Sequence, residues 1–550
     1  MITGIELENI RIFKGQGWNF HLRPMTVFCG TNSVGKSTII KSLLLLQQSQ
    51  AVRDSYGIVE GKLLLTGNRV DLGRYSSFVS NHKTEENISL SLTIEDKMPV
   101  VYYKRLLDLN SQESPYRNGQ ENKDDPVDYV LKSRFTFGLD RAPGKSSESS
   151  GLNALEIAED SANSKAILKR AEYAIEVNGE KLLWWNVEKY AANEPRYVIE
   201  IPTKFYEDMF NDDLVKSEHF KKRIKTNMSV LFRVAHPGII PYAILLQEKP
   251  YRSNISESNS VKNRQWIGTR LPPIIRDAMS NLNDALRKID YIAPLRSSPE
   301  RYYLLSSESV TIKDSTGAAL PYILKDKAVY NSQVFNVPPW TNNNEAIAEP
   351  LSKALNSWLY YLRVGEKPPQ DVRDREIEIN TIRDLVVEIK MRSAIEDKCF
   401  SLVDSGFGYS QVLPILVQGL LAKPESMLLI EQPELHLNPA LQVRLADFFV
   451  AMIRARKQIL IETHSEHIVN AIRVLAAEDE SGELAKKCGI FFLDNDSDRP
   501  AIHELSIQPD GTIPDLPRHF FGEAISLSGR LLRAQKKFRT GNREEGTGNR

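Results

Sequence analysis

The chain has 550 residues, with 71 basic and 71 acidic side chains, so its formal net charge is zero and any nucleic-acid-binding surface must be local. Its length exceeds what one hydrophobic core supports, which predicts two or three structural units. Cys29, Cys399 and Cys488 lie too far apart for a paired metal site and are odd in number for a disulfide framework; no apolar run is long enough to span a bilayer, and no charged start leads into a long apolar segment at the N-terminus. A cytoplasmic protein with no membrane contact is expected.

Ile2 to Phe13 and Trp18 to Leu22 read as strands, and Met25 to Cys29 is a third that runs into glycine. Gly30-Thr31-Asn32-Ser33-Val34-Gly35-Lys36-Ser37 then matches the P-loop pattern, and Thr38 to Leu46 continues as a helix. Strand, loop and helix are the context this motif requires. The glycines let backbone N–H groups turn inward around phosphates, the helix start adds positive potential, Lys36 reaches the outer phosphates and Ser37 holds Mg²⁺.

Lys62 to Leu65 and Ile88 to Ile94 read as strands, the second with clean alternation. Gln112 to Ser150 is polar and rich in Asn, Asp, Gly and Ser, which predicts flexible loops at the start of an insertion. Within the insertion, Tyr173–Val177 and Lys181–Trp185 flank Asn178-Gly179 as a hairpin, and Phe205–Val234 and Pro272–Lys288 read as helices. Lys221-Lys222-Arg223-Ile224-Lys225 is the densest basic cluster, read as a solvated helix face ahead of a phosphate contact. Tyr291 to Arg296 returns to strand character; Arg296 and Arg301 fit phosphate contacts and structural salt bridges equally well.

A Pro/Asn-rich loop at 337–344 precedes a helix expected over Ala346–Leu362, and Asp384–Lys390 with Cys399–Val403 reads as a hairpin. Gly406-Phe407-Gly408-Tyr409-Ser410-Gln411 opens a helix. Met427 to Ile430 is a short apolar run suited to a strand buried on both faces, with Glu431, Gln432 and Glu434 at its carboxyl end, where α/β sheets place their chemistry. Gln458 to Thr463 is a further buried strand, followed at once by His464, and Ile490 to Leu493 is the last. Asp494 and Asp496 read as a polar loop at its end. His436, His464 and His467 with Glu434 and Glu466 lack the helical spacing that zinc sites use.

In this order the P-loop, the Gly408–Ser410 turn, the strand ending in Glu431 and the strand ending before His464 resemble an ABC-type ATPase head. The chain is similar to the soluble ABC ATPases of chromosome maintenance and double-strand-break repair, and more closely to the overcoming-lysogenization-defect-like ATPases of phage defence. The run GFGYSQVLPIL…LLIEQPELHLNP resembles the ATPase subunit of Septu-type systems, which also occurs beside some retrons. The motifs cover the first hundred residues and roughly 376–505.

The resemblance implies an α/β fold, an ABC-type P-loop NTPase head with a large mixed α+β insertion between Walker A and the signature motif. Residues 1–100 and 376–505 would form the head, 101–375 an inserted arm or lid, and 506–550 a closing motif and basic tail. ATP and Mg²⁺ are the implied cofactors, and a homodimer or higher homo-oligomer through the heads the implied assembly. Gly30, Asn32, Gly35, Lys36, Ser37 and Thr38 would bind ATP in cis, with Arg11 approaching the nucleotide and Ser410 reaching the γ-phosphate of an opposite subunit. Ser37 and Glu431 would hold the metal, Gln47 or Gln48 is the implied metal-binding glutamine, and His464 the switch histidine. An HNH-type nuclease effector, in some systems a reverse transcriptase with retron DNA, is the implied partner, and nucleic acid stays open.

Gln432 departs from the wider family, which places a carboxylate there as general base. Glutamine orients water but cannot take its proton, so slow hydrolysis is expected, with Glu434 as a substitute base two residues on. Asp510 to Gly522 resembles the closing segment of related defence ATPases and is expected to dock on the head. A Toprim nuclease, a DNA-repair clamp and a transporter ATPase subunit are the competing readings. The first lacks a preceding strand with an isolated catalytic Glu; the last has no coupling role for the insertion.

Overall fold

The computed structural model describes residues 1–50, 61–110, 125–139, 166–189, 197–201, 232–235, 240, 243–247, 266–269, 271–305, 314–340, 345–369, 376–383, 385–392, 398–405, 407–496, 499–517, 520, 530, 531, 533 and 535. The strands in chain order are β1 (Ile2–Glu8), β2 (Trp18–His21), β3 (Met25–Gly30), β4 (Ile88–Met98), β5 (Val127–Leu139), β6 (Ala166–Val177), β7 (Glu180–Lys189), β8 (Tyr197–Glu200), β9 (Phe232–Ala235), β10 (Ala243–Gln247) and β11 (Trp266–Thr269). They continue as β12 (Ile289–Ile292), β13 (Tyr303–Leu304), β14 (Gln333–Asn336), β15 (Ile347–Pro350), β16 (Ile377–Ile382), β17 (Val386–Arg392), β18 (Cys399–Ser401), β19 (Met427–Glu431), β20 (Gln458–Glu462), β21 (Cys488–Asp496) and β22 (Arg499–Ser506). The helices used below are α1 (Lys36–Gln50), α2 (Pro273–Arg287), α3 (Leu351–Val364), α4 (Phe407–Leu421), α5 (Pro439–Arg454) and α6 (Glu466–Glu478).

A six-stranded sheet in the order β12-β19-β20-β3-β21-β22 carries the site. All of its pairs are parallel except β21 with β22. Parallel strands need crossovers, and the crossover helices cover both faces, which is why β19 and β20 are buried at every position. Alternate residues of these strands serve different cores. Phe28, Leu429, Leu460 and Phe491 pack with the α1 leucines and the antiparallel sheet, whereas Val27, Leu428, Ile430, Ile459, Ile461 and Phe492 pack with α3 to α6. Phe28 and Phe491 stack at 5.4 Å between ring centres. β12, from inside the 101–375 span, forms one edge of this sheet.

The span after α1 extends the N-terminal hairpin: a ten-stranded antiparallel sheet runs β11-β10-β9-β8-β7-β6-β5-β4-β1-β2. Asn178 and Gly179, at φ 51° and 80°, make the expected hairpin turn between β6 and β7, because both turn positions need left-handed backbone. The mixed α/β architecture with a P-loop head and inserted structure is therefore the observed fold.

Several local expectations are corrected. β1 stops at Glu8, since Asn9 and Arg11 adopt φ of 55° and 49°, leaving isolated bridges from Ile10 to Phe13 and to Val79. Lys62–Leu65 contributes one isolated bridge, Lys62 to Ile167, and no strand. Residues 127–139, inside the stretch read as loop, form β5, paired on both sides. The helix expected from Ala346 begins at Leu351; Ile347–Pro350 is β15, paired with β14, and Pro350 stands at the N-cap of α3. The strand through Arg296 ends at Ile292, and Asp494 and Asp496 lie in β21 opposite β22 instead of in a loop. Phe232–Ala235 is β9, where a helix was expected; the remainder of that helix, with the 221–225 basic cluster, and the tail beyond 535 fall outside the described residues. Of the Asp510–Gly522 segment, the described residues meet the head: Arg473 of α6 donates to the Gly511 carbonyl at 3.0 Å, and Phe520 meets Phe492 edge-on at 5.3 Å.

Candidate functional site

The site lies at the carboxyl ends of β19, β20 and β3, three adjacent parallel strands, where peptide groups leave the sheet and side chains are free to converge. Gly30 closes β3 at φ 121°, and a Cβ there would stand 1.9 Å from the Leu493 carbonyl oxygen on β21. Gly35, at φ 94°, lies so close to Ile12 and Phe13 that a Cβ would meet their side chains at 2.6 and 2.8 Å. Any larger residue at either position moves the loop. Thr31, Asn32 and Ser33 are the exposed crown, with Thr31 N–H donating to Leu493 O at 3.1 Å.

Lys36 and Ser37 open α1. Lys36 is buried and donates its ammonium protons to the carbonyls of Gly30, at 3.2 Å, and Thr31. Burial lowers its pKa, with Glu462 the largest opposing influence. Ser37 Oγ donates to Glu462 Oε1 at 2.8 Å. Thr38 is buried, its N–H donating to Gly35 O at 2.9 Å and its carbonyl accepting from Ser42 Oγ at 2.7 Å, which locks the first turn of the helix.

Glu431 ends β19 in register with Glu462 at the end of β20. Burial pushes the Glu431 carboxyl up to about 7, the neighbouring Glu462 adds to the rise, and Lys41 and a hydrogen bond from the Tyr291 hydroxyl oppose it. That bond, Tyr291 Oη to Glu431 Oε1 at 3.0 Å, comes from the edge strand β12 and holds the carboxylate in place. Arg296 sits beside it, buried, donating to the Glu431 backbone carbonyl at 3.0 Å. Arg301 instead makes a two-pronged ion pair with Asp404 at 2.7 and 2.8 Å. Of the two readings left open for these arginines, Arg301 is the salt bridge.

Gln432 has φ 45° and its N–H donates to Glu462 O at 2.7 Å, so the backbone leaves β19 in a left-handed kink. Glu434 is turned back toward the next strand. Its Oε2 accepts from Thr463 Oγ1 at 2.8 Å and its Oε1 from the His464 N–H at 2.7 Å. A carboxylate with both oxygens engaged is poorly placed as a substitute base; it clamps the segment that carries His464. The His464 ring is hydrogen-bonded to the Gly30 backbone, and burial followed by the Lys36 charge lowers its pKa, which favours the neutral imidazole.

Three residues singled out by motif stand elsewhere. Arg11 lies over the Phe78 ring at 5.9 Å, while its neighbour Ile12 touches the P-loop. Gln47 donates to the carbonyls of Leu286 and Ile289 at 2.9 and 2.8 Å, and Gln48 to those of Leu64 and Val70, so both glutamines serve packing at the far end of α1. Eleven residues of helix beyond Lys36 place them about 16 Å from the loop. Ser410, in the first turn of α4, is buried and lines a cavity of about 300 Å³ with Ser297, Glu300, Thr316 and Gly317. Gly408 lets that turn approach the His436 carbonyl, 3.1 Å from where a Cβ would stand. His436 and His467 are exposed, and among the described residues no three metal-ligating side chains of the His, Cys, Asp or Glu type converge.

Tyr291 and Glu462 were missed by motif reasoning. Each sits on a strand whose neighbours are fixed only by the crossover topology; the sole linear signal was an acidic residue closing an otherwise apolar strand at Glu462. The residues present fit a divalent cation: a serine hydroxyl, two buried carboxylates and a Glu462 Oε2 without a partner.

A glycine loop entering a helix at its lysine, an acid-tipped strand two places away and a histidine after the strand between them define an ABC-type P-loop ATPase head. The AAA ATPase domain family model matches residues 1–469, and the chain belongs to that family. No curated protein matches it. Among solved structures it is similar to an SMC head bound to the C-terminal winged-helix domain of ScpA, at 10% identity over 92% of this chain and 98% of that chain, TM-score 0.34. It is also similar to an SMC head with an extended coiled coil bound to the ScpA C-terminal domain, derived from Pyrococcus furiosus (9%, covering 96% and 99%, TM-score 0.32). A third is the SMC head domain from Thermotoga maritima (9%, covering 91% and 98%, TM-score 0.31). No described helix is long and apolar enough to cross a membrane.

Proposed function

We propose that the chain binds ATP with Mg²⁺ at Gly30–Ser37 and acts as a slowly hydrolysing switch that holds or releases a nuclease effector in antiphage defence. The observation that carries the nucleotide reading is the convergence of Lys36, Ser37, Glu431 and His464 on one end of the sheet. ATP phosphates would take over the Lys36 ammonium from the Gly30 and Thr31 carbonyls, and backbone N–H groups of residues 31–36 would line them. Ser37 and Glu431 would hold the cation, which supplies charge neutralisation at the outer phosphates. Neutral His464 would turn its single ring N–H from the Gly30 backbone to a γ-phosphate and report the loss of that phosphate through Glu434.

Gln432 stands where the proton acceptor is expected, and Glu434 is engaged elsewhere, so the bound state outlasts that of a head with a carboxylate in this position. The defence assignment rests on the similarity of the Gly406–Pro439 run to Septu-type subunits, and with it an HNH-type nuclease, or in some systems a reverse transcriptase with retron DNA, as the partner. Two heads would close on ATP, and the structure inserted between Walker A and the signature would carry the movement to that partner. Light scattering on the full chain with ATP and Mg²⁺ tests the assembly: a shift from monomer to dimer is expected, and an unchanged mass contradicts it. ATPase stimulation by duplex DNA, with salt-sensitive binding, would favour a repair clamp instead.

A further inference from the structure

We propose that Glu462 is a third holder of the divalent cation, forming with Ser37 and Glu431 a cradle of oxygen donors between the P-loop helix and the ends of β19 and β20. The inference rests on the nucleotide-site reading and adds a residue that the motif order does not supply.

Three observations carry it. Glu462 and Glu431 are Cα partners on adjacent parallel strands, about 4.8 Å apart, and the two residues are only 4% and 3% exposed. Two carboxylates at that spacing away from water repel each other, and the nearby Lys36 ammonium is already donating to the Gly30 and Thr31 carbonyls. Next, Ser37 gives its hydroxyl proton to Glu462 Oε1 at 2.8 Å. A hydroxyl has one proton and two lone pairs, so with its proton on Glu462 the Ser37 oxygen keeps its lone pairs for a cation. Last, Glu462 Oε2 has no hydrogen-bond partner, which for a buried carboxylate oxygen is costly unless something positive meets it.

One Glu431 oxygen is held by Tyr291, so the cradle is braced from both sides, by β12 and by α1. Its donors are all oxygen, with two formal negative charges, which suits Mg²⁺ or Mn²⁺ and leaves further positions to water and phosphate oxygens. A merely structural Glu462 would do no more than anchor Ser37, and an amide oxygen would do that as well.

The test is Mn²⁺ binding to the full chain with ADP, followed by electron paramagnetic resonance, in wild type, Glu462→Gln, Glu462→Asp and Ser37→Ala. Glu462→Gln keeps an acceptor for Ser37 and removes the charge; at least a tenfold loss of Mn²⁺ affinity is expected, with ADP affinity in EDTA within twofold of wild type. Metal-free Glu462→Gln is expected to melt at or above wild type, because one of two repelling charges is gone. Glu462→Asp, with the charge on a shorter arm, is expected to fall between wild type and Gln, and it carries the comparison if the Gln variant does not fold. Mn²⁺ binding within twofold of wild type in the Gln variant, or in the Asp variant where the Gln variant does not fold, overturns this inference and leaves the ATP site standing. Wild type that binds no Mn²⁺ with ADP overturns both.

Discussion

Lys36 spends its ammonium on two carbonyls of its own loop, a pair of charge-assisted bonds that phosphates would replace. Lys36→Ala is expected to weaken ATP about 100-fold in calorimetric titration, the loss of one buried charged contact of about 3 kcal/mol; unchanged affinity would remove the P-loop from the site. A second prediction concerns Asp447, far in sequence from the loop. Burial pushes its carboxyl up to about 6, Glu478 adds to the rise, and the Tyr361 hydroxyl, donating at 3.0 Å, opposes it. The folded carboxyl holds its proton more tightly than the unfolded one. The stability it contributes is therefore full below its ordinary value of 3.8 and is lost as pH rises through about 6. Asp447→Asn keeps an acceptor for Tyr361 and should add about 1–2 kcal/mol at pH 8 and nothing at pH 4 in thermal melts; equal gains at both would show that charge is not the cause. Lys36, Ser37, Glu431 and His464 were legible because each follows a local pattern of strand, glycine or helix start. Tyr291 and Glu462 were not, since their meaning depends on which strands lie side by side.

At the scale of elements, the chemistry depends on how β19 and β20 are joined beyond their last backbone pairs. Glu434 makes that joint, with one oxygen on Thr463 and one on the His464 N–H, while Gln432 N–H reaches back to Glu462 O. Glu434→Gln turns an amide NH₂ toward one of those donors and should cost about 2 kcal/mol, read as a lower melting temperature and at least tenfold faster amide hydrogen exchange at His464. Exchange unchanged at His464 would mean that the clamp does not hold the segment that carries it. The continuous apolar runs and the Asn178-Gly179 turn made β19, β20 and the β6–β7 hairpin readable. β5 was hidden because polar flanks dominate 112–150, and the start of α3 because Pro350, compatible with a helix's first turn, also ends β15.

For the whole molecule, the antiparallel sheet and the head are not separate bodies in sequence or in packing. β1 and β2, which bracket the approach to the P-loop, are the edge of the same ten-stranded sheet that the insertion extends, and Ile12 and Phe13 press on Gly35. This continuity gives a path from the nucleotide loop to the insertion, and under the proposed function it is how closure would reach a partner. Lys36→Ala should therefore abolish any ATP-dependent change in mass by light scattering while leaving the fold intact by circular dichroism.

The central claim is a head that binds ATP and keeps it, because Gln432 cannot accept a proton. Steady-state phosphate release by wild type and Gln432→Glu tests it most directly. Wild type is expected to turn over at less than about one per second and Gln432→Glu at least tenfold faster, an order of magnitude under the lower end of the about 10²–10⁴-fold that a general base contributes, because the left-handed backbone at this position constrains the new carboxylate. Wild-type turnover of tens per second, or a Glu variant no faster than wild type, would contradict it.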